Sequence, residues 1–230
     1  TTLHVPENLY NYPNDLIVIQ DMFFNNNLTE EDKKKTKLYN QQKIRQSTSK
    51  KFANITEYLL SLNTVLDIKI NNLVNLERLT QLTQKTNQFN LTTKRYSSIE
   101  IEKLINNSLI FSLDVKDKFG IIGLTGLAII KIDQNQKKAE IDTFLLSCRI
   151  IGREIENYFL NSIIQKLKSK NIKNCKATFI KTNKNEIVSN FYDQNGFYKE
   201  FEDSYTKVYN LNIESYIFNN SNLCEVKFGQ

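Results

Sequence analysis

The stretch EIDTFLLSCRIIGREIENYFLNSIIQKLKSK, Glu140 to Lys170, decides the fold. Glu140 to Ser147 alternates as a strand, with Ile141, Thr143 and Leu145 on one face and Asp142, Phe144 and Leu146 on the other. From Ile151 to Lys170 the apolar residues Ile155, Phe159, Ile163, Ile164 and Leu167 recur at helical spacing, which predicts an amphipathic helix with a solvated, lysine-rich end. Between strand and helix lies an Arg-x-x-Gly turn, Arg149 to Gly152. A helix entered straight from a strand leaves its first N–H groups unpaired and its positive dipole end open, a combination that suits a phosphate or pyrophosphate. Arg-x-x-Gly alone also describes an ordinary turn, so the weight rests on the downstream segments. KATFIK (Lys176 to Lys181) reads as a second strand, and NKNEIVSNFYDQNGF (Asn183 to Phe197) holds a short amphipathic helix closed by Gly196.

Taken together these segments resemble the core of the GNAT acyltransferase superfamily. Its acyl-CoA loop follows a strand as Gln/Arg-x-x-Gly-x-Gly/Ala, and its tail commonly reads Asn…(Phe/Leu)-Tyr-x-x-x-Gly-Phe. Here the loop is Arg149, Ile150, Ile151, Gly152, Arg153 and Glu154, and the tail supplies Asn185, Tyr192, Gly196 and Phe197. Glu154 departs from the pattern: it replaces a small residue and sets a like charge beside an anion, which weakens binding. The resemblance implies coenzyme A or acyl-phosphopantetheine, its arm paired with the strand backbone at Phe144, Leu145 and Leu146 and its phosphate on the loop. It also implies Tyr192 as general acid to the leaving thiolate, a role worth about 10²–10⁴-fold, with Asn185 on the arm. Packing explains Tyr192 equally well, and a helix cap explains Asn185. Cys148, beside the loop, reads as a small buried thiol in preference to an acyl acceptor. Glu140 and Asp142 are weak candidates for a base.

Composition narrows the class. A chain of 230 residues with 40% hydrophobic content is enough for a core. The apolar run IIGLTGLAII (Ile121 to Ile130) is broken by Gly123, Thr125 and Gly126 and is too short for a bilayer, so it reads as buried strand; neither a membrane span nor a signal peptide is expected. Cys148, Cys175 and Cys224 are odd in number and widely spaced, which fits a reducing cytoplasm and speaks against a disulfide framework or zinc site; the single His4 cannot build a metal cluster. The net charge of +6 includes a lysine-rich run from Lys33 to Lys51 that reads as a solvated helix face. No nucleic-acid partner is expected, because neither aromatic platforms nor a reading helix accompany the charge.

Towards the N-terminus, Thr1 to Asp15 holds Pro6 and Pro13 and reads as an extended lead-in, followed by a helix to about Gln46 with Thr29 as its cap. The segment LERLTQLTQKTNQFNLTTKRY, Leu76 to Tyr96, ends a helix in a dense run of amides and hydroxyls. Gln84, Asn87, Gln88, Asn90 and Arg95 read as a polar wall of a substrate pocket, or as side chains that satisfy the backbone of a loop. This segment resembles a signature of FkbH-like proteins, which join a HAD-superfamily, subfamily IIIC phosphatase-type domain to a GNAT-like domain. The resemblance continues through Phe119 to Ile132, IDTFLLSCRIIGRE and FYDQNGF, and reaches back to HVPENLYNYP and LTEEDKKKTKLY. It implies that residues 1–51 are the lead-in and tail of an upstream HAD-type domain and 52–230 a GNAT-like domain. The family's Asp-x-Asp nucleophile loop is missing, because Asp114 and Asp117 have the wrong spacing. The FkbH-like resemblance further implies handling of a glyceryl-type acyl group, with an acyl carrier protein as partner. Two functional classes stand open: an acyltransferase, and a non-catalytic carrier-docking module.

The element order predicts an α+β fold of GNAT type, a mixed sheet flanked by helices. Helices are expected over Phe52–Leu62, Leu73–Lys85, Ser97–Asn106, Ile151–Lys170 and Asn185–Asp193. Strands are expected over Val65–Ile70, Leu109–Lys116, Phe119–Ile132, Lys138–Ser147, Lys176–Lys181 and Tyr198–Tyr209. Leu211 to Gln230 reads as an edge strand or a frayed tail.

Overall fold

The computed structural model describes residues 30–218 and 220–229. The expected lead-in, with His4, both prolines and the Thr29 cap, lies outside the described residues. The chain divides into two compact units, residues 1–46 and 47–230. Helix α1 (Glu30–Ser49) is a 20-residue helix.

Within the second unit, α2 (Ile55–Ser61) starts three residues later than its apolar spacing predicts, because the Asn54 side chain caps it, accepting from the Glu57 N–H at 2.8 Å. Strand β1 (Thr64–Ile70) and helix α3 (Leu76–Lys85) follow, then a two-residue strand β2 (Phe89–Asn90) inside the segment read as a polar wall. Helix α4 (Ser98–Leu104) opens on a reciprocal capping box between Ser97 and Glu100. Strands β3 (Ser108–Asp117), β4 (Gly120–Asp133) and β5 (Lys138–Leu146) form the antiparallel centre of the sheet. Helix α5 (Ile155–Ser169) leads to β6 (Asn174–Ile180); α6 (Phe191–Gln194), β7 (Tyr198–Glu202), β8 (Thr206–Asn212) and β9 (Cys224–Phe228) complete the chain.

The strand order is β7-β8-β6-β5-β4-β3-β1-β9, with β2 paired to β5. Neighbours run antiparallel except β5 with β6 and β1 with β9. Two cores result from the strand alternation. Phe111, Leu113, Ala128, Phe144 and Leu146 pack with Phe159, Ile163 and Leu167 of α5. Ile110, Leu127, Ile129 and Leu145 pack with Leu79 and Leu82 of α3 and Ile101 of α4. The fold class is the α+β arrangement expected.

Several boundaries differ from the expectation, each for a local reason. The α5 helix begins at Ile155, not Ile151, after a short 3₁₀ turn at Cys148–Ile150 and two positive φ values, at Gly152 (77°) and Glu154 (62°). The helix expected over Asn185–Asp193 is a 3₁₀ turn, Glu186–Val188, followed by the single-turn α6. The strand expected over Tyr198–Tyr209 is a hairpin: the Asp203 carboxylate accepts from the N–H groups of Tyr205 and Thr206 and turns the chain. Cys224–Phe228 is an edge strand parallel to β1. The face assignment within β5 also changes. Thr143 lies opposite Ile129 and Ile141 opposite Ile130, so Asp142 has no partner residue on β4. That extra residue is a β-bulge, and it shifts the alternation so that Ile141, Phe144 and Leu146 share one core while Leu145 joins the other.

Candidate active site where β5 and β6 part

Strands β5 and β6 pair only along their first halves, Lys138–Ile141 with Asn174–Ala177. Beyond the Asp142 bulge they separate, and the chain's own segment Phe89–Thr92 lies between them. Phe89 and Asn90 pair antiparallel with Leu146 and Leu145. The Leu91 N–H donates to the Phe144 carbonyl at 3.1 Å, and the Leu91 carbonyl accepts from the Ile180 N–H at 2.8 Å. The Thr92 hydroxyl donates to the Asp142 carbonyl at 2.9 Å. The backbone of Phe144, Leu145 and Leu146, expected to meet a pantetheine arm, therefore meets β2. Phe89 and Leu91 are buried, and the Phe89 ring packs against Phe144 and Phe191. Burial of two such side chains is worth about 1.5–3 kcal/mol each, which offsets the conformational entropy lost in ordering the segment.

Asn185 secures this arrangement. Its side-chain N–H₂ donates to the carbonyls of Asn90 and Ile180, both at 2.9 Å, and its oxygen accepts from the N–H and hydroxyl of Thr182. Its side chain caps no helix. Most other polar residues of the segment are also engaged locally. Gln84 donates to the Tyr96 carbonyl, while Arg95 donates to the carbonyls of Thr83 and Thr86 and to the Asn87 side chain. Asn90 donates to the Thr86 carbonyl and accepts from the Thr93 N–H. Gln88 is exposed. Gln84, Asn87, Asn90 and Arg95 thus bond to groups of the loop that holds them.

The bulge residue has a charged role of its own. The buried Asp142 carboxylate accepts from Lys94 at 2.7 Å, Lys131 at 2.5 Å, Tyr96 at 2.5 Å and Thr143 at 3.1 Å. Burial alone raises its pKa, but the hydrogen bonds from Lys131, Lys94 and Tyr96 together outweigh that and hold it at about 2. A carboxylate so firmly ionised is a weak base, which speaks against Asp142 as proton acceptor. Lys94, Tyr96 and Lys131 are the residues that sequence reasoning missed. The signal was present: an aspartate inside an otherwise apolar strand requires cationic or hydrogen-bonding partners.

The loop from Ser147 to Glu154 offers backbone, not guanidinium groups, to an anion. Arg149 donates to the Ile122 carbonyl and the Ser147 hydroxyl, and burial, then the nearby Arg78, pulls its pKa down. Arg153 pairs with buried Asp117 at 3.2 Å. Ile150 is buried and its N–H is taken by the Ser147 carbonyl; Ile151 is half-buried. Among the described residues, the N–H groups of Gly152, Glu154 and Ile155 have no partner, and they stand at the N-terminus of the 15-residue α5. A groove of about 560 Å³ opens there, lined by Gly152, Glu154, Asn157, Asn195, Gly196 and Ser221 among others. These features fit a phosphate; the Glu154 carboxylate, which accepts from the Asn157 side chain, opposes it.

Tyr192 is 1% exposed, packed against Phe191, Phe197 and Tyr209, and its hydroxyl has no hydrogen-bond partner among the described residues. Burial, and then the neighbouring Cys175 and Tyr209, raise its pKa well above the usual phenol value. Cys148 is exposed, contrary to the buried thiol expected, whereas burial pushes Cys175 and Cys224 up to about 12. No helix among the described residues is long and apolar enough to cross a membrane.

The strand order, the bulged and splayed β5, and the helix N-terminus behind it define the GNAT fold. Solved structures with this fold include the ribosomal-protein-S18-alanine N-acetyltransferase of Escherichia coli, at TM-score 0.50 and 12% identity over 65% of this chain and 94% of that one. The PaiA N-acetyltransferase of Thermoplasma acidophilum, solved with coenzyme A, matches at TM-score 0.50 and 19% identity over 64% and 98%. The spermidine N-acetyltransferase of Vibrio cholerae, solved with coenzyme A and spermine, matches at TM-score 0.51 and 17% identity over 66% and 97%. At these identities the likeness is one of fold. No protein-family model matches the chain, and no curated protein matches it.

Two glutamates at this helix N-terminus give measurable expectations. Replacing Glu154 by Gly removes a left-handed non-glycine residue and a like charge, so stability changes by less than about 1 kcal/mol. Binding of a phosphate-bearing ligand strengthens at the same time, as read by calorimetry. The second concerns Glu156, whose carboxyl is pushed by burial from 4.5 to about 7. Between those values the folded chain holds more protons than the unfolded one, so stability falls as pH rises through this window and the loss is complete above it. Denaturation at pH 5 and pH 8 should show the pH-dependent loss smaller by about 2–3 kcal/mol in Glu156→Gln.

Proposed function

We propose that this chain is a GNAT-type acyl-transfer domain that handles an acyl group on a pantetheine arm, of coenzyme A or of a carrier protein. We place it as the C-terminal half of an FkbH-like protein with a HAD-type domain upstream, where the acyl group is a glyceryl unit. The observation that carries the reading is the Tyr192 hydroxyl: buried, without a partner among the described residues, and at the tyrosine position of the FYDQNGF tail. Native interiors rarely leave such a group unpaired, and a thioester sulfur is a partner it would accept.

The arm, when bound, supplies an acyl thioester. The chain's own groups divide the remaining work. The N–H groups of Gly152, Glu154 and Ile155 hold phosphate at the α5 N-terminus. Tyr192 remains a proton donor at neutral pH, because burial disfavours its phenolate, and it donates to the departing thiolate. Asp142 stays ionised between its lysines and fixes the bulge, and with it the point at which β5 leaves β6.

A second reading, a non-catalytic carrier-docking module, is favoured by one specific observation: the gap is filled by β2 and both loop arginines are engaged within the domain. The excess of basic residues suits an acidic carrier protein in either case.

Tyr192→Phe separates the two. Under the first reading the variant folds with equal stability, or gains about 1 kcal/mol from losing an unpaired buried hydroxyl, while acyl transfer to or from a carrier falls about 10²–10⁴-fold. Under the second, carrier binding is unchanged and neither protein transfers. Calorimetry that finds no binding of coenzyme A, acyl-CoA or a phosphopantetheinylated carrier sinks both readings.

A further inference from the structure

We propose that Phe89–Thr92 is a self-supplied strand that competes with the pantetheine arm for the space between β5 and β6, so that the protein gates its own acyl site. The inference rests on the acyl-transfer reading and adds a regulatory element to it. A pantetheine arm is extended and carries amides, and it needs the same unpaired backbone edge of β5 that β2 now occupies. The segment uses that edge as a ligand would: it pairs with Leu145 and Leu146, donates to the Phe144 carbonyl and accepts from Ile180 across the gap. Two occupants cannot share one set of donors and acceptors.

The segment is built to hold on at both ends and to bend at one. Asn185 clamps the Asn90 carbonyl, and Thr92 and Lys94 fasten the far end to Asp142. Immediately after the strand, Thr93 has φ 55°, a left-handed conformation that a β-branched residue rarely adopts, maintained by the bond from its N–H to the Asn90 side chain. Strain at this position favours release of the segment once its hydrogen bonds are lost. The occupied gap lowers apparent affinity by the fraction of molecules in which it is open.

The test uses the whole chain with coenzyme A, acetyl-CoA and free pantetheine as probes. In the wild type, amide hydrogen exchange at Leu91 and Ile180 is slow without ligand. On saturation the Leu91 amide should become exchange-labile while Phe144 and Leu145 remain protected. The double variant Leu91→Ala/Thr92→Ala, with folding checked by circular dichroism, should bind each probe at least tenfold more tightly than wild type. Ligand binding with Leu91 still protected, or equal affinity in wild type and a folded variant, overturns the competition and leaves acyl transfer standing. Absence of binding in both proteins at millimolar probe overturns the transfer reading and the gate with it. The wild-type exchange experiment decides the question even where the double variant fails to fold.

Discussion

Halfway along β5 the sheet loses its partner, and a backbone edge in the interior cannot be left bare. Buried N–H and C=O groups demand hydrogen bonds, and β6 is no longer near enough to supply them once the Asp142 bulge has turned the strand. The chain answers with Phe89–Thr92, which matches the edge with backbone groups and fills the space with Phe89 and Leu91. The remaining features of the site are arranged around that choice: Asn185 locks the inserted strand, Phe191 covers it, and the polar residues from Gln84 to Arg95 satisfy the turns that bring it there.

Electrostatics reinforce the same geometry. A lone carboxylate at position 142 would be costly inside a sheet, yet two ammonium groups and a phenol converge on it. The cluster ties together the bulge on β5, the neighbouring strand β4 through Lys131, and the segment after β2 through Lys94 and Tyr96. At the α5 N-terminus the N–H groups of Gly152, Glu154 and Ile155 have no partner among the described residues, while the nearby arginines serve the scaffold. An anion there meets the helix dipole and backbone hydrogen bonds, opposed by Glu154.

The fold was legible because its periods are strong. Alternation in β5, the apolar run of β4 and the 3.6-residue spacing in α5 each report local structure directly. Differences fell where short-range signals compete. Asn185–Asp193 has helical spacing but too few residues to sustain a helix, and the Tyr198–Tyr209 run concealed a turn set by Asp203. The amides in QKTNQFN satisfy a loop, as their composition allows, but the strand hidden inside that run had no alternation of its own to betray it.

By itself the sequence determined most of the elements, their order and the kinds of group near the site, since these depend on periodicity, capping and the identity of each residue. Only the tertiary structure decided who occupies the gap. Residues 89–92 and 142–146 lie some fifty positions apart, and their pairing depends on a one-residue bulge and on burial of Phe89 and Leu91, neither of which leaves a local trace in the chain.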